Sequence, residues 1–169
     1  WGADNDLVNL NRYPRLQAYF ETHRSRLQRR HVAQKNPSAW YRTIDKVVPN
    51  LVDRELLLMP DMSMQPDPIL SKGYYPHHNC YWISSDEWDL RALGGLLMAE
   101  TTRNFIDALG VKMRGGTLRF QAQYLRLVHL PRYDQLNDFI RNGLMTAFEK
   151  KDRDAATYFA ELAYGEAMQ

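Results

Sequence analysis

Lys112, Arg114, Gly115, Gly116 and Arg119 fall within one short run, VKMRGGTLRF. Two adjacent glycines let backbone approach a ligand closely. Flanking cations suit phosphate oxygens or the acceptor edge of a guanine. Between Ala108 and Tyr133 there are five Lys or Arg (Lys112, Arg114, Arg119, Arg126, Arg132) and no Asp or Glu. An acid-free cationic turn of this kind is suited to a polyanion.

Two further groups carry polar chemistry. Tyr41, Arg42 and Lys46 interleave an aromatic ring with cations, a pattern that stacks on bases or packs along a phosphate backbone. His77, His78 and Asn79 lie in an aromatic-rich, extended stretch, GYYPHHNCYWIS. In extended chain, adjacent histidines point to opposite faces, so one metal cannot easily take both. Presentation of these side chains to a groove is the better reading. Cys80 is the only cysteine. That excludes an internal disulfide and a Cys-based zinc site, and fits a cytoplasmic protein. Among apolar neighbours Cys80 reads as a small buried residue rather than a nucleophile. A Walker loop, Gly-x-Ser-x-Gly, His-Glu-x-x-His and an EF-hand loop are all absent. Acid pairs such as Asp86-Glu87 sit where a helix start explains them. No catalytic centre emerges.

At 169 residues, with 44% hydrophobic and 25% charged residues, the chain has the size and composition of a single globular domain. The first residue is Trp1, with no initiator Met, and the chain reads as part of a larger protein. No signal peptide is visible, and no apolar run approaches the roughly 18 residues of a membrane span. The net charge is only +2, but residues 12–46 carry +7 and residues 108–133 carry +5, separated by acidic blocks. Such a distribution points to one cationic face.

The elements that must position these groups are legible in outline. Pro14 opens a helix whose face is Leu16, Tyr19, Phe20, His23 and Leu27, with Arg24, Arg26, Arg29 and Arg30 at its C-terminal end. Trp40 reads as the anchor of that helix against the sheet. ELLLM, 55–59, is a buried strand closed by Pro60. The Pro-rich stretch 59–73 is a loop, its three Met covering the edge of the core. Ser84 or Ser85 caps a long helix from Leu90 to Leu109, with Leu90, Leu93, Leu97, Thr101, Phe105 and Leu109 as its buried stripe. Gly94 and Gly95 inside it imply close packing against another element, because glycine costs roughly 1 kcal/mol there relative to Ala. Leu118, Phe120, Ala122 and Tyr124 alternate as a half-buried strand. Two acidic helices follow, 134–152 and from Arg153. The expected fold is mixed α/β (α+β), a small sheet flanked by helices, with a C-terminal helical pair packed away from any polyanion.

Taken in order, YPRLQAYFETHRSRLQRR, WYR, ELLLMPDMS, NCYWIS, DLRALGGLLMAETTRNFI and RGGTLRFQAQYLRLVHLP resemble the TaqI-like C-terminal specificity domain of adenine-specific DNA methyltransferases and fused restriction–modification enzymes. The resemblance covers most of residues 12–131. It makes 12–133 the family-like core of a single 1–169 domain and 134–169 a helical extension. Leu93-Gly94-Gly95-Leu96-Leu97-Met98 departs from the family by lacking the Asn-Ser step of its long helix. The resemblance implies a target-recognition domain that holds double-stranded DNA against an upstream catalytic domain of the same chain. That domain would bind S-adenosylmethionine and methylate a flipped adenine; no cofactor is expected in residues 1–169. Asn36-Pro37-Ser38 is not the Asn-Pro-Pro-aromatic motif of such catalytic domains, since its third residue is wrong and the aromatic is displaced to Trp40.

The residues themselves support a cationic, aromatic-bearing surface. The expected DNA contacts are Lys112, Arg114, Gly115, Gly116 and Arg119, a second rim of Tyr41, Arg42 and Lys46, and His77, His78 and Asn79 at base edges. A protein-interaction module with solvated basic blocks is the main rival. An enzyme acting on a small anion is the lesser one, since no convergent acid–base set supports it.

Overall fold

A computed structural model describes residues 6–110 and 113–167. The chain forms two compact units, 1–52 and 53–169, and each is described on its own.

In the first unit the long basic helix is broken. Its parts are α1 (Pro14–Thr22), α2 (Arg24–Gln28) and α3 (His31–Lys35). Pro14 sits in the first turn as expected. The break falls at His23, whose backbone leaves helical geometry (φ −110°, ψ 7°). The expected apolar face is not buried: no residue of α1 or α2 is, and Tyr19 is 60% exposed and meets the ring of the exposed His23 edge-on. What holds this unit is an aromatic cluster of Phe20, buried Trp40 and Tyr41. The Arg30 guanidinium donates to the carbonyls of Leu27, Trp40 and Arg42. Arg24 lies over the Trp40 ring and pairs with Glu21. Two of the four arginines expected at the C-terminal end of that helix, Arg24 and Arg30, therefore make contacts within the unit.

In the second unit, β1 (Leu56–Pro60) is the middle strand of an antiparallel sheet between β3 (Ile69–Ser71) and β4 (Cys80–Ile83). Leu56, Leu57 and Met59 are fully buried, which is why this strand reads as a continuous apolar run rather than an alternation. A second small sheet pairs β2 (Met62–Ser63) with β5 (Leu118–Arg119). The stretch expected to be a loop thus supplies two short strands. Two of its methionines are not core plugs, since Met62 and Met64 are more than half exposed. Cys80 is half-buried.

The long apolar helix is two helices, α4 (Leu90–Met98) and α5 (Glu100–Leu109), broken at Ala99, whose backbone is extended (ψ 155°). The buried Thr102 hydroxyl donates to the Leu96 carbonyl, and the Glu100 N–H donates to the Thr157 hydroxyl. The break shifts the buried stripe by one residue. Thr102 and Ile106 are buried, and not the expected Thr101, Phe105 and Leu109. The strand expected over 118–124 is also shorter, since Ala122–Leu125 forms the short helix α6. α7 (Asp138–Lys150) and α8 (Arg153–Ala167) form the C-terminal pair and pack on α4. They supply Ile140, Leu144, Ala147, Phe148, Ala156, Ala160 and Ala163 to the core. Phe139, beside the buried Ile140 on α7, is exposed. The fold is a mixed α/β arrangement of small antiparallel sheets and helices ending in a helical pair.

Asp89, not Ser84 or Ser85, caps α4: its carboxylate accepts from the Arg91 backbone N–H (2.8 Å) and from the Arg91 guanidinium. The Ser85 hydroxyl instead accepts from the N–H groups of Glu87 and Trp88 in the preceding turn. Hydrogen bonding to Arg91 holds the Asp89 carboxyl below the usual carboxylate range. A carboxylate depressed in the folded state contributes stability that is complete above its unfolded pKa. That stability is lost as the pH falls through and below about 4. Asp89→Ala is expected to cost about 1 kcal/mol at pH 7. Urea unfolding at pH 7 and near pH 3 checks this, the gap from the wild type narrowing at the lower pH.

Candidate nucleic-acid interface

The candidate site is built at the end of β1. Pro60 pairs with Cys80 of β4, and the next residue, Asp61, is a junction. Its N–H donates to the Asn79 carbonyl (2.9 Å) and its carbonyl accepts from the Phe120 N–H (2.8 Å). Its carboxylate Oδ2 accepts from Nη2 of Arg119 at 2.5 Å. One residue therefore ties the turn before β4 to the strand after the glycine turn. Phe120, fully buried, fixes that strand in the core. The hydrogen bond to Asp61 raises the pKa of Arg119, so its guanidinium is charged throughout the working range.

On one side of Asp61 is the histidine turn. The Cys80 N–H donates to the His77 carbonyl, and the Asn79 N–H donates to Nδ1 of His77. His77 and His78 do not point apart as extended chain would require. The backbone turns here, and their rings lie 4.1 Å apart, both residues exposed. On the other side is the glycine turn, closed by Met113 N–H to the Thr117 carbonyl (2.9 Å) and Gly116 N–H to the Met113 carbonyl (3.2 Å). Gly115 (φ +90°) and Gly116 (φ +81°) occupy the left-handed region, which side chains disfavour. Arg114 is exposed on this turn, and Arg126 is exposed just beyond α6. Neither makes an ion pair among the described residues. Lys112 lies outside the described residues.

The structure thus ties the turn of His77, His78 and Asn79 to Arg119, three residues beyond the glycine turn of Arg114, Gly115 and Gly116. It does so through Asp61, a residue that sequence reasoning missed. Nothing in the local pattern marked a lone Asp after Pro60 as the partner of an Arg 58 positions on. Tyr41, Arg42 and Lys46 belong to the other unit. There the Tyr41 hydroxyl donates to the Val8 carbonyl (2.6 Å) and the Arg42 carbonyl accepts from Arg30, while Lys46 is exposed.

Beside the site, the open edge of β4 borders an apolar groove of about 520 Å³ lined by Leu93, Leu97, Leu125, Val128 and Trp82, with Arg126 among its walls. Among the described residues no group of three His, Cys, Asp or Glu is placed to hold a metal. No described helix is long and apolar enough to cross a membrane.

No family model matches the chain. It is 43% identical over 160 residues to the Type II methyltransferase M.PaeR7I of Pseudomonas aeruginosa, a match covering 94% of this chain and 28% of that protein. It is 41% identical over 163 residues to the Type II methyltransferase M.XhoI of Xanthomonas vasicola, covering 96% and 30%. With the Type II methyltransferase M.BstVI of Geobacillus stearothermophilus it shares 41% over 146 residues, covering 86% and 26%. The chain is therefore similar to type II methyltransferases, and it spans less than a third of the length of these relatives.

Proposed function

We propose that this chain is the target-recognition part of an adenine-specific, S-adenosylmethionine-dependent DNA methyltransferase of a restriction–modification system. In this reading it is a cytoplasmic protein whose catalytic domain lies upstream in the same polypeptide. The observation that carries the reading is the Asp61 junction. It ties the histidine turn to the strand that follows the glycine turn, and the stretch between Met113 and Tyr133 carries exposed cations and no acid. Similarity to type II methyltransferases over nearly the whole chain supports the same reading. Exposed Met62 and Met64 beside the turn add apolar area suited to sugars or thymine methyl groups.

In this reading S-adenosylmethionine is held by the upstream catalytic domain and not by this chain. This chain's part is to bind and orient DNA, and Arg114 anchors phosphate from the glycine turn. Arg114→Ala in the intact protein is expected to weaken binding about equally on all duplexes and to reduce the salt slope by about one. Lys72 follows β3, at the end of the sheet opposite Asp61, and Lys72→Ala is expected to change neither. Fluorescence anisotropy of a labelled duplex at several salt concentrations checks both. Equal behaviour of the two variants would contradict the placement of the interface.

A second reading, a protein-docking module, is favoured by the open β4 edge and its apolar groove. Binding through that groove would be insensitive to salt.

A further inference from the structure

Resting on the reading above, we infer that Arg119 reads a guanine by its O6 and N7 acceptors, and that Asp61 is the positioning residue that aims it. Arg114 and Arg119 belong to the same cationic run but stand in different electrostatic positions. Arg114 is exposed and has no ion-pair partner among the described residues. Arg119 is paired with Asp61, its side chain only 33% exposed. A neutralised pair adds little to the long-range attraction of phosphates. It keeps its directional donors and loses less freedom on binding. That is the profile of a base reader rather than a phosphate anchor.

The hydrogen bonding indicates which edge of the guanidinium is offered. Asp61 Oδ2 holds Nη2 at 2.5 Å. Asp61 Oδ1 and Arg119 Nε are both buried without a partner. These are the two atoms that a side-on, two-bond pairing would join, so the inner edge of the guanidinium belongs to Asp61. The outer edge, Nη1 and Nη2, faces Gln121. With its carboxamide oxygen turned to the guanidinium, Gln121 lies 3.1 Å from Nη1 and 3.2 Å from Nη2. In the opposite orientation the Gln121 oxygen accepts instead from Gln123 Nε2 (3.1 Å). In either orientation the half-buried Gln121 carboxamide occupies the place that a guanine acceptor would take, and guanine replaces it on binding. Asn79 is held by the same junction, its carbonyl accepting from the Asp61 N–H.

The test uses the intact protein and a pool of duplexes with a randomised core. Selection with the wild type is expected to recover a motif containing a fixed guanine. Arg119→Ala should recover the same motif with that position open, and Asp61→Asn should relax the same position. In the wild-type motif, 7-deazaguanine at that position removes the N7 acceptor and should weaken binding about tenfold, but it should leave Arg119→Ala unaffected. The salt slope of Arg119→Ala should match that of the wild type, which a lost phosphate contact would not allow. Arg119→Lys keeps the charge and the pairing with Asp61 but lacks the fork; it covers the case in which the alanine variant does not fold, and it too should lose the guanine preference. A motif unchanged in both Arg119 variants would overturn this assignment and leave target recognition standing. Recovery of no motif by the wild type would overturn target recognition itself, and this assignment with it.

Discussion

Gly95→Ala is expected to lower the unfolding midpoint by roughly 5–15 °C. A Cβ at this position would lie 2.2 Å from the Leu144 carbonyl oxygen and 2.8 Å from its carbon. Both are backbone atoms of α7, so no side-chain rotation relieves the overlap and α4 must move away from α7. Overpacking of this kind costs about 3 kcal/mol. The better helix propensity of alanine returns about 1 kcal/mol, leaving a net loss near 2 kcal/mol. Gly94→Ala is the control. Its Cβ would meet the Phe148 ring at 2.6 Å, and a ring can shift. Its loss should be distinctly smaller. Thermal unfolding of the two variants by circular dichroism decides the point. An unchanged midpoint for Gly95→Ala would contradict the close α4–α7 contact.

The second large effect is expected at Asp61. Asp61→Ala keeps both backbone hydrogen bonds of the junction but leaves the Arg119 guanidinium, largely covered by its neighbours, without its carboxylate. Breaking a fully buried pair costs about 3–5 kcal/mol. Arg119 is one-third exposed, so solvent screening keeps the loss of stability well below that figure. Duplex affinity should fall further than stability alone requires, by about tenfold, because the Arg119 guanidinium is no longer aimed by its carboxylate partner. Urea unfolding and anisotropy titration of the same preparation measure the two losses separately. Full retention of duplex affinity would show that the junction does not organise the interface.

The sequence made the element types legible where burial is simple. ELLLM reads as a buried strand because β1 is central and covered on both faces. The glycine pair in the apolar helix predicts close packing because only a missing Cβ admits a neighbouring backbone there. The C-terminal helices show their period plainly. The failures occur where tertiary contacts overrule local pattern. Ala99 breaks the long helix because Thr102 and Thr157 satisfy the backbone groups that the break exposes. No residue at 99 announces it. β2 and β3 are only two and three residues long and take their hydrogen bonds from distant strands. His77 and His78 lie on one turn because the Asp61 and Cys80 N–H groups hold it, a constraint invisible in HHNC. At the site, the cationic glycine turn was evident from composition. The division between an exposed Arg114 and a paired Arg119 was not, since it depends on a residue 58 positions away.

The most direct test of the account is the salt dependence of duplex binding by the intact protein. If Lys112, Arg114 and Arg126 each neutralise a phosphate, log affinity should fall linearly with log salt at a slope of about −2.7. That is a loss of roughly fortyfold between 50 and 200 mM salt. Arg114→Ala should lower the slope by about one unit and Arg119→Ala by none. A flat salt response, or no duplex binding at 50 mM salt, would contradict the interface at the Asp61 junction and favour the apolar groove beside β4 as the working surface.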